Sequence, residues 1–123
     1  MSEDRKGEKP DILERTIAYS LRIIRLYRDL EKDNVGRIIG KQLLRSGTSI
    51  GANVHEAQGG QSKADFIAKM SIANKEARES AYWIRLIKKA ELVPENRIRD
   101  LYDETDQIIR ILSSILITAK KRK

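Results

Sequence analysis

From Asp11 onward, apolar residues return every three or four positions almost to the end of the chain. Leu13, Ile17, Leu21, Ile24 and Tyr27 form one stripe, and Ile12, Tyr19, Ile23, Leu26 and Leu30 form a second beside it. That period belongs to an amphipathic helix, and a face two stripes wide predicts contact with more than one partner helix. Asp11 beside Pro10 offers an N-cap and Asp33-Asn34 a turn, so the first helix is expected over about 11–32. Val35, Ile39, Leu43, Ile50, Val54 and Ala57 predict a second over 35–58, ended at Gly59-Gly60 by glycine's tolerance of the left-handed conformation. Ser62-Lys63-Ala64-Asp65 reads as a capping box. Behind it Phe66, Met70, Ala73, Ala77, Ser80, Ile84 and Ile87 step by four and three, predicting a third helix over 62–91. Pro94 suits the first position of a fourth, over 95–119, with Ile98, Leu101, Tyr102, Thr105, Ile108, Leu112, Ile115, Leu116 and Ala119 on its apolar face. No window alternates apolar and polar residues. The expected fold is therefore all-α, an up-down-up-down four-helix bundle over 11–119, with a disordered arm at 1–10 and a basic tail at 120–123.

One part of this pattern is unusual. Between Gly40 and Ala57 the second helix carries Gly40, Ser46, Gly47, Thr48, Ser49, Gly51 and Ala52 where helix interiors carry larger residues. Glycine inside a helix costs roughly 0.5–1 kcal/mol relative to alanine, so either the segment is a loop or another backbone approaches closely. Continuity of the stripe from Val35 to Ala57 favours the helix.

The 123 residues are enough for one domain with a core. With no Cys, disulfides and thiolate chemistry are excluded, and the single His, His55, removes His-rich metal sites and most Ser/His catalytic arrangements. Gly36-Arg37-Ile38-Ile39-Gly40-Lys41-Gln42 only superficially resembles a phosphate loop: it is one residue short, has Gln42 where Ser or Thr is needed, and follows no strand. Glu76 and Glu79 share a helix face, yet one His cannot complete a di-iron bundle site, and His55-Glu56 lacks the second His of a zinc protease. No catalytic residue, metal or cofactor is expected. The charged N-terminus has no apolar signal core, and the run from Ile108 to Ala119 is too short to span a bilayer, so a soluble, cytoplasmic protein of bacterial type without a membrane partner is expected.

The polar residues of the second helix form a seam of their own. Arg45, Ser46, Ser49, Asn53 and Glu56 recur at spacings of one, three, four and three. With the turn centred on Gly59-Gly60, facing positions on helices two and three sum to about 119 or 120. This places Arg45 level with Glu76 and predicts an Arg45–Glu76 pair, with Asn53 making buried hydrogen bonds that set the helix register.

Leu43–Ala57 (LLRSGTSIGANVHEA), Gly59–Phe66 (GGQSKADF) and Lys75–Ile87 (KEARESAYWIRLI) resemble the four-helix-bundle proteins of the 23S rRNA intervening-sequence family. The resemblance runs from about Asp11 to Ala119, and Arg45, Ser46, Ser49, Ile50, Asn53 and Glu56 are its most specific part. It implies a homopentameric ring around a central channel and transfers no catalytic residue. A distant branch comprises accessory proteins of diversity-generating retroelements, which bind nucleic acid.

Charge adds a function class. The formal net charge is +7, and residues 120–123 carry four of the positives. Arg22, Arg25, Arg28 and Lys32 crowd the first helix, while Arg37, Lys41 and Arg45 recur every four residues on the second. Five copies at +7 would carry +35 on one particle. A non-enzymatic oligomer binding the backbone of RNA or DNA is the expectation, with Arg22, Arg25, Arg37, Lys41, Lys120, Lys121, Arg122 and Lys123 as contact candidates. The alternative is an oligomeric scaffold that recruits another protein through apolar surface, without nucleic-acid contact. Aromatic stacking is not expected, because the aromatic residues fit core or interface stripes.

Overall fold

Three helices begin where a short polar side chain holds a backbone N–H that the helix itself leaves free. In the computed structural model, which describes residues 11–122, Asp11 accepts from the Glu14 amide at 3.0 Å ahead of α1 (Ile12–Leu30). Asp33 accepts from Gly36 at 2.8 Å ahead of α2 (Asn34–Gln58), and Ser62 from Asp65 at 3.1 Å ahead of α3 (Lys63–Lys89). The arm at 1–10 and Lys123 lie outside the described residues.

The fourth helix departs from its sequence signal. Pro94 opens a 3-10 turn, Glu95–Arg97, and α4 runs from Arg99 to Lys121, starting four residues later than expected. Ile98, fully buried, pins the chain between the two. At the other end Lys120 and Lys121 belong to the last turn of α4, not to a separate tail.

Helix ends also differ from the expectation. Gly59 has φ −94°, so α2 does not close through a left-handed residue. It tightens instead, with Gly59 N–H on Glu56 O at 3.2 Å and Gly60 N–H on Ala57 O at 3.1 Å. The left-handed residue is Glu91, φ 56°, just beyond α3. Its N–H donates to Lys88 O at 3.0 Å, and Leu92 N–H reaches Ile87 O at 3.1 Å, the Schellman pattern.

The four helices pack in chain order, α1 on α2, α2 on α3 and α3 on α4, with a slighter contact closing α4 onto α1. Of the two stripes on α1, Tyr19, Ile23, Leu26 and Leu30 are buried. Ile17, Leu21 and Ile24 remain 53%, 46% and 36% exposed. Val35 and Tyr102, both placed on apolar stripes by spacing, are exposed as well, 56% and 40%. All described regular structure is helical.

The glycines of α2 are explained by α1. A Cβ at Gly36 would stand 2.4 Å from the Leu30 carbonyl oxygen, at Gly40 3.0 Å from the Tyr27 ring, at Gly47 2.9 Å from Ile23, and at Gly51 3.1 Å from Thr16. The contacts descend α1 as they ascend α2, an antiparallel ladder in which one helix is stripped of side chains so that the other can lie close.

Buried hydroxyls tie the bundle together. Ser46 of α2 meets Ser80 of α3 at 2.8 Å, and Tyr19 of α1 meets Thr105 of α4 at 2.7 Å, all four residues being fully or almost fully buried. Ser80 also donates to Glu76 O, and Thr105 to Leu101 O. Together the two pairs involve every helix. Burial outweighs the Thr105 bond and pushes the Tyr19 phenol up to about 12.

Candidate nucleic-acid interface

The expected polar seam resolves into separate parts. Arg45 reaches Glu76 at 3.2 Å and also Glu79, whose carboxylate accepts from the Trp83 indole at 2.9 Å. Glu56 pairs with Lys69 at 2.5 Å, which holds the Lys69 ammonium above its usual range. These pairs join α2 to α3 at the surface. Ser46 faces Ser80 and Glu56 reaches Lys69, both more than one helical turn further along α3 than a turn centred on Gly59-Gly60 places them.

Asn53 does not cross the interface. Its amide donates to the Ser49 carbonyl at 2.9 Å and to Ser49 Oγ at 3.1 Å, both one turn back on its own helix. Asn53 is only half-buried, and the short side chain finds its nearest acceptors in α2 itself. The hydroxyls that cross between helices belong to Ser46, Ser80, Tyr19 and Thr105. The last three had been assigned by spacing to apolar stripes, where a hydroxyl and a methyl carry the same periodic signal.

The candidate nucleic-acid cations fall into groups. Arg22 and Arg25 turn toward α4, where with Arg97, Leu26 and Leu101 they line a crevice of about 190 Å³. Arg97 is engaged there by Asp29 and holds that carboxyl below its ordinary range. Arg37 and Lys41 are exposed on α2, while Lys120 and Lys121 end α4. Arg122 borders a shallow groove with Phe66, Ser114 and Thr118. These cations are spread over α1, α2 and the end of α4.

A more concentrated arrangement lies on α3, unmarked by the sequence reading. Lys75, Arg78, Tyr82, Arg85 and Lys89 follow one another by three, four, three and four, and all are exposed. That spacing sets them along one solvent face of about 21 Å. Glu76 and Glu79 occupy the flank facing α2, bound to Arg45, so the helix separates its charges by side. Tyr82 is 57% exposed and meets Trp83 edge-on, ring centroids 4.9 Å apart.

This face borders a cleft of about 440 Å³ between the end of α3 and the start of α4. Arg85, Lys88, Lys89, Arg99 and Tyr102 line it, with Glu95 and Asp103 as its acids and Ile84 and Ile98 toward the core. Lys88 lies 3.6 Å from Glu95, whereas Arg85, Lys89 and Arg99 have no ion-pair partner among the described residues. The signal available in the sequence was the run of cations at helical spacing with acids on the opposite flank. A second surface is apolar: Ile17, Leu21, Gly51, Ala52 and His55 line a shallow groove between α1 and α2. His55 Nδ1 there lies 2.8 Å from the Gly51 carbonyl oxygen, a contact within α2.

No group of three or more His, Cys, Asp or Glu among the described residues is arranged to hold a metal ion. No described helix is long and apolar enough to cross a membrane.

Known proteins place this arrangement. No curated protein matches the chain. A solved structure from Bacteroides thetaiotaomicron VPI-5482, a protein of unknown function from the S23 ribosomal protein family, is 38% identical and superposes with a TM-score of 0.82. The match covers 86% of this chain and 98% of that one. Residues 8–114 match the 23S rRNA-intervening sequence protein family. A four-helix chain matched over that span belongs to the 23S rRNA-intervening sequence protein family.

Proposed function

We propose that this protein is a non-enzymatic homo-oligomer, a pentameric ring acting in the cytoplasm, that binds the backbone of RNA or DNA through its basic surface. The observation that carries the reading is the charge separation on α3, where Lys75, Arg78, Arg85 and Lys89 share a solvent face and Glu76 and Glu79 are drawn to Arg45. Cations without an ion-pair partner among the described residues are available to phosphates, and each phosphate neutralised releases counterions. The names of the family and of the Bacteroides relative, which refer to ribosomal RNA and ribosomal proteins, point the same way.

Assembly belongs to the same reading. Ile17, Leu21 and Ile24 leave an apolar strip on α1 beside Ala52, which a second copy would cover. The strip equally favours a second reading, a scaffold for another protein without direct nucleic-acid contact.

Two measurements decide. Retention of labelled RNA or DNA should fall steeply as salt rises; retention that ignores salt, or none at low salt, removes the nucleic-acid reading. Light scattering should give five times the 14.1 kDa chain mass, and Leu21→Glu should lower it. A monomeric wild-type protein would remove the ring.

A further inference from the structure

We propose that the cleft between the end of α3 and the start of α4 is a nucleotide subsite for single-stranded nucleic acid, with Arg85, Lys89 and Arg99 on the phosphate and Tyr102 against the base. The inference rests on the nucleic-acid reading above and names its substrate class. Two features separate this cleft from the crevice of Arg22, Arg25 and Arg97. At about 440 Å³, against about 190 Å³, it alone of the two lies within the range of small-ligand pockets. It also joins cations to an exposed aromatic ring, Tyr102, which the crevice of Arg22, Arg25 and Arg97 lacks.

A duplex offers its phosphates to such a surface but keeps its base faces stacked inside. A single strand presents phosphate and base face together, and a tyrosine ring accepts any base because every base has a π-face. The cleft opens onto the solvent face of α3, where Tyr82 stands between Arg78 and Arg85. Cation, aromatic and cation in sequence continue the same chemistry away from the cleft. Glu95 is more than half exposed, and its 3.6 Å contact with Lys88 is loose enough for a phosphate to replace it. Asp103 also lines the cleft, a carboxylate among its cations.

The test is fluorescence polarisation on the full chain with labelled oligouridylate, oligothymidylate and a blunt duplex of equal phosphate number, with polyglutamate as competitor. The wild-type protein should bind either single strand more tightly than the duplex. Tyr102→Leu should weaken single-strand binding about tenfold and leave duplex binding unchanged, while Tyr102→Phe retains it. Arg85→Gln and Arg99→Gln should each reduce the salt slope by roughly one. A thermal melt confirms folding of each variant. If strands bind but Tyr102→Leu changes nothing, or changes duplex binding equally, the subsite is overturned and the nucleic-acid reading stands. Polyglutamate competing as well as oligouridylate also overturns the subsite. If neither strand nor duplex binds at low salt, both readings fail together.

Discussion

The hydroxyls of Ser46 and Ser80 meet at 2.8 Å where α2 and α3 cross, both fully buried. Ser80 has a second partner in the Glu76 carbonyl at 2.9 Å, whereas Ser46 has only a long contact to Leu43 O at 3.4 Å. Removing one hydroxyl therefore strands the other unequally. Ser80→Ala should destabilise by about 1–3 kcal/mol, since Ser46 loses its short bond in a buried site, and Ser46→Ala by less. The double variant should cost less than the sum, a coupling readable by urea denaturation. Strict additivity would show that the two hydroxyls do not act as a pair.

Tyr19 links pH to stability. Burial lifts its phenol from an ordinary 10.0 to about 12, so the folded chain holds that proton more tightly than the unfolded chain. The sign follows: the contribution is complete below pH 10 and disappears as pH climbs through 12. Its size is on the order of 2–3 kcal/mol. Tyr19→Phe loses the Thr105 bond but keeps the ring, and its stability should fall less between pH 10 and 12 than that of the wild-type protein. Parallel pH curves would remove Tyr19 as the titrating group.

The α1–α2 ladder separates glycines that matter from one that does not. Gly36→Ala puts a methyl 2.4 Å from a backbone carbonyl, which no side-chain rotation relieves. A loss of about 2–3 kcal/mol is expected in chemical denaturation. Gly59→Ala meets nothing nearer than 3.9 Å and keeps an ordinary φ of −94°, so its change should stay within about 0.5 kcal/mol. Equal effects at the two positions would contradict the ladder.

Glu91 is the converse case, a side chain where the backbone wants none. With φ 56° in a Schellman turn and an exposed side chain, Glu91→Gly should raise stability by about 1 kcal/mol. A destabilised variant would mean that the Glu91 side chain contributes more than its backbone geometry costs.

Periodicity, caps and punctuation determined the number and character of the helices, because each is written within a few consecutive residues. Asp11 and Ser62 act within one turn of themselves, and the stripe from Met70 to Ile87 is a property of α3 alone. The small residues of α2 likewise announced a close neighbour, since nothing else repays the loss of so many side chains from one helix. Arg45 and Glu76 could be paired from an estimated register because both side chains are long enough to tolerate an error in it.

What only the tertiary structure decided depends on rotation and register between helices. Spacing assigned both stripes of α1 to helix contacts, yet packing buries Tyr19 and Ile23 and leaves Ile17 and Leu21 exposed. Asn53 and Ser46 belong to one polar seam in sequence, but a small rotation gives Asn53 a partner in its own helix and Ser46 a partner across the core. Tyr102 reads as apolar lining until the 3-10 turn before α4 places it in a cleft beside Arg85 and Arg99. Short polar side chains and cleft walls are sensitive to shifts of an ångström or two between helices, and no local pattern encodes those.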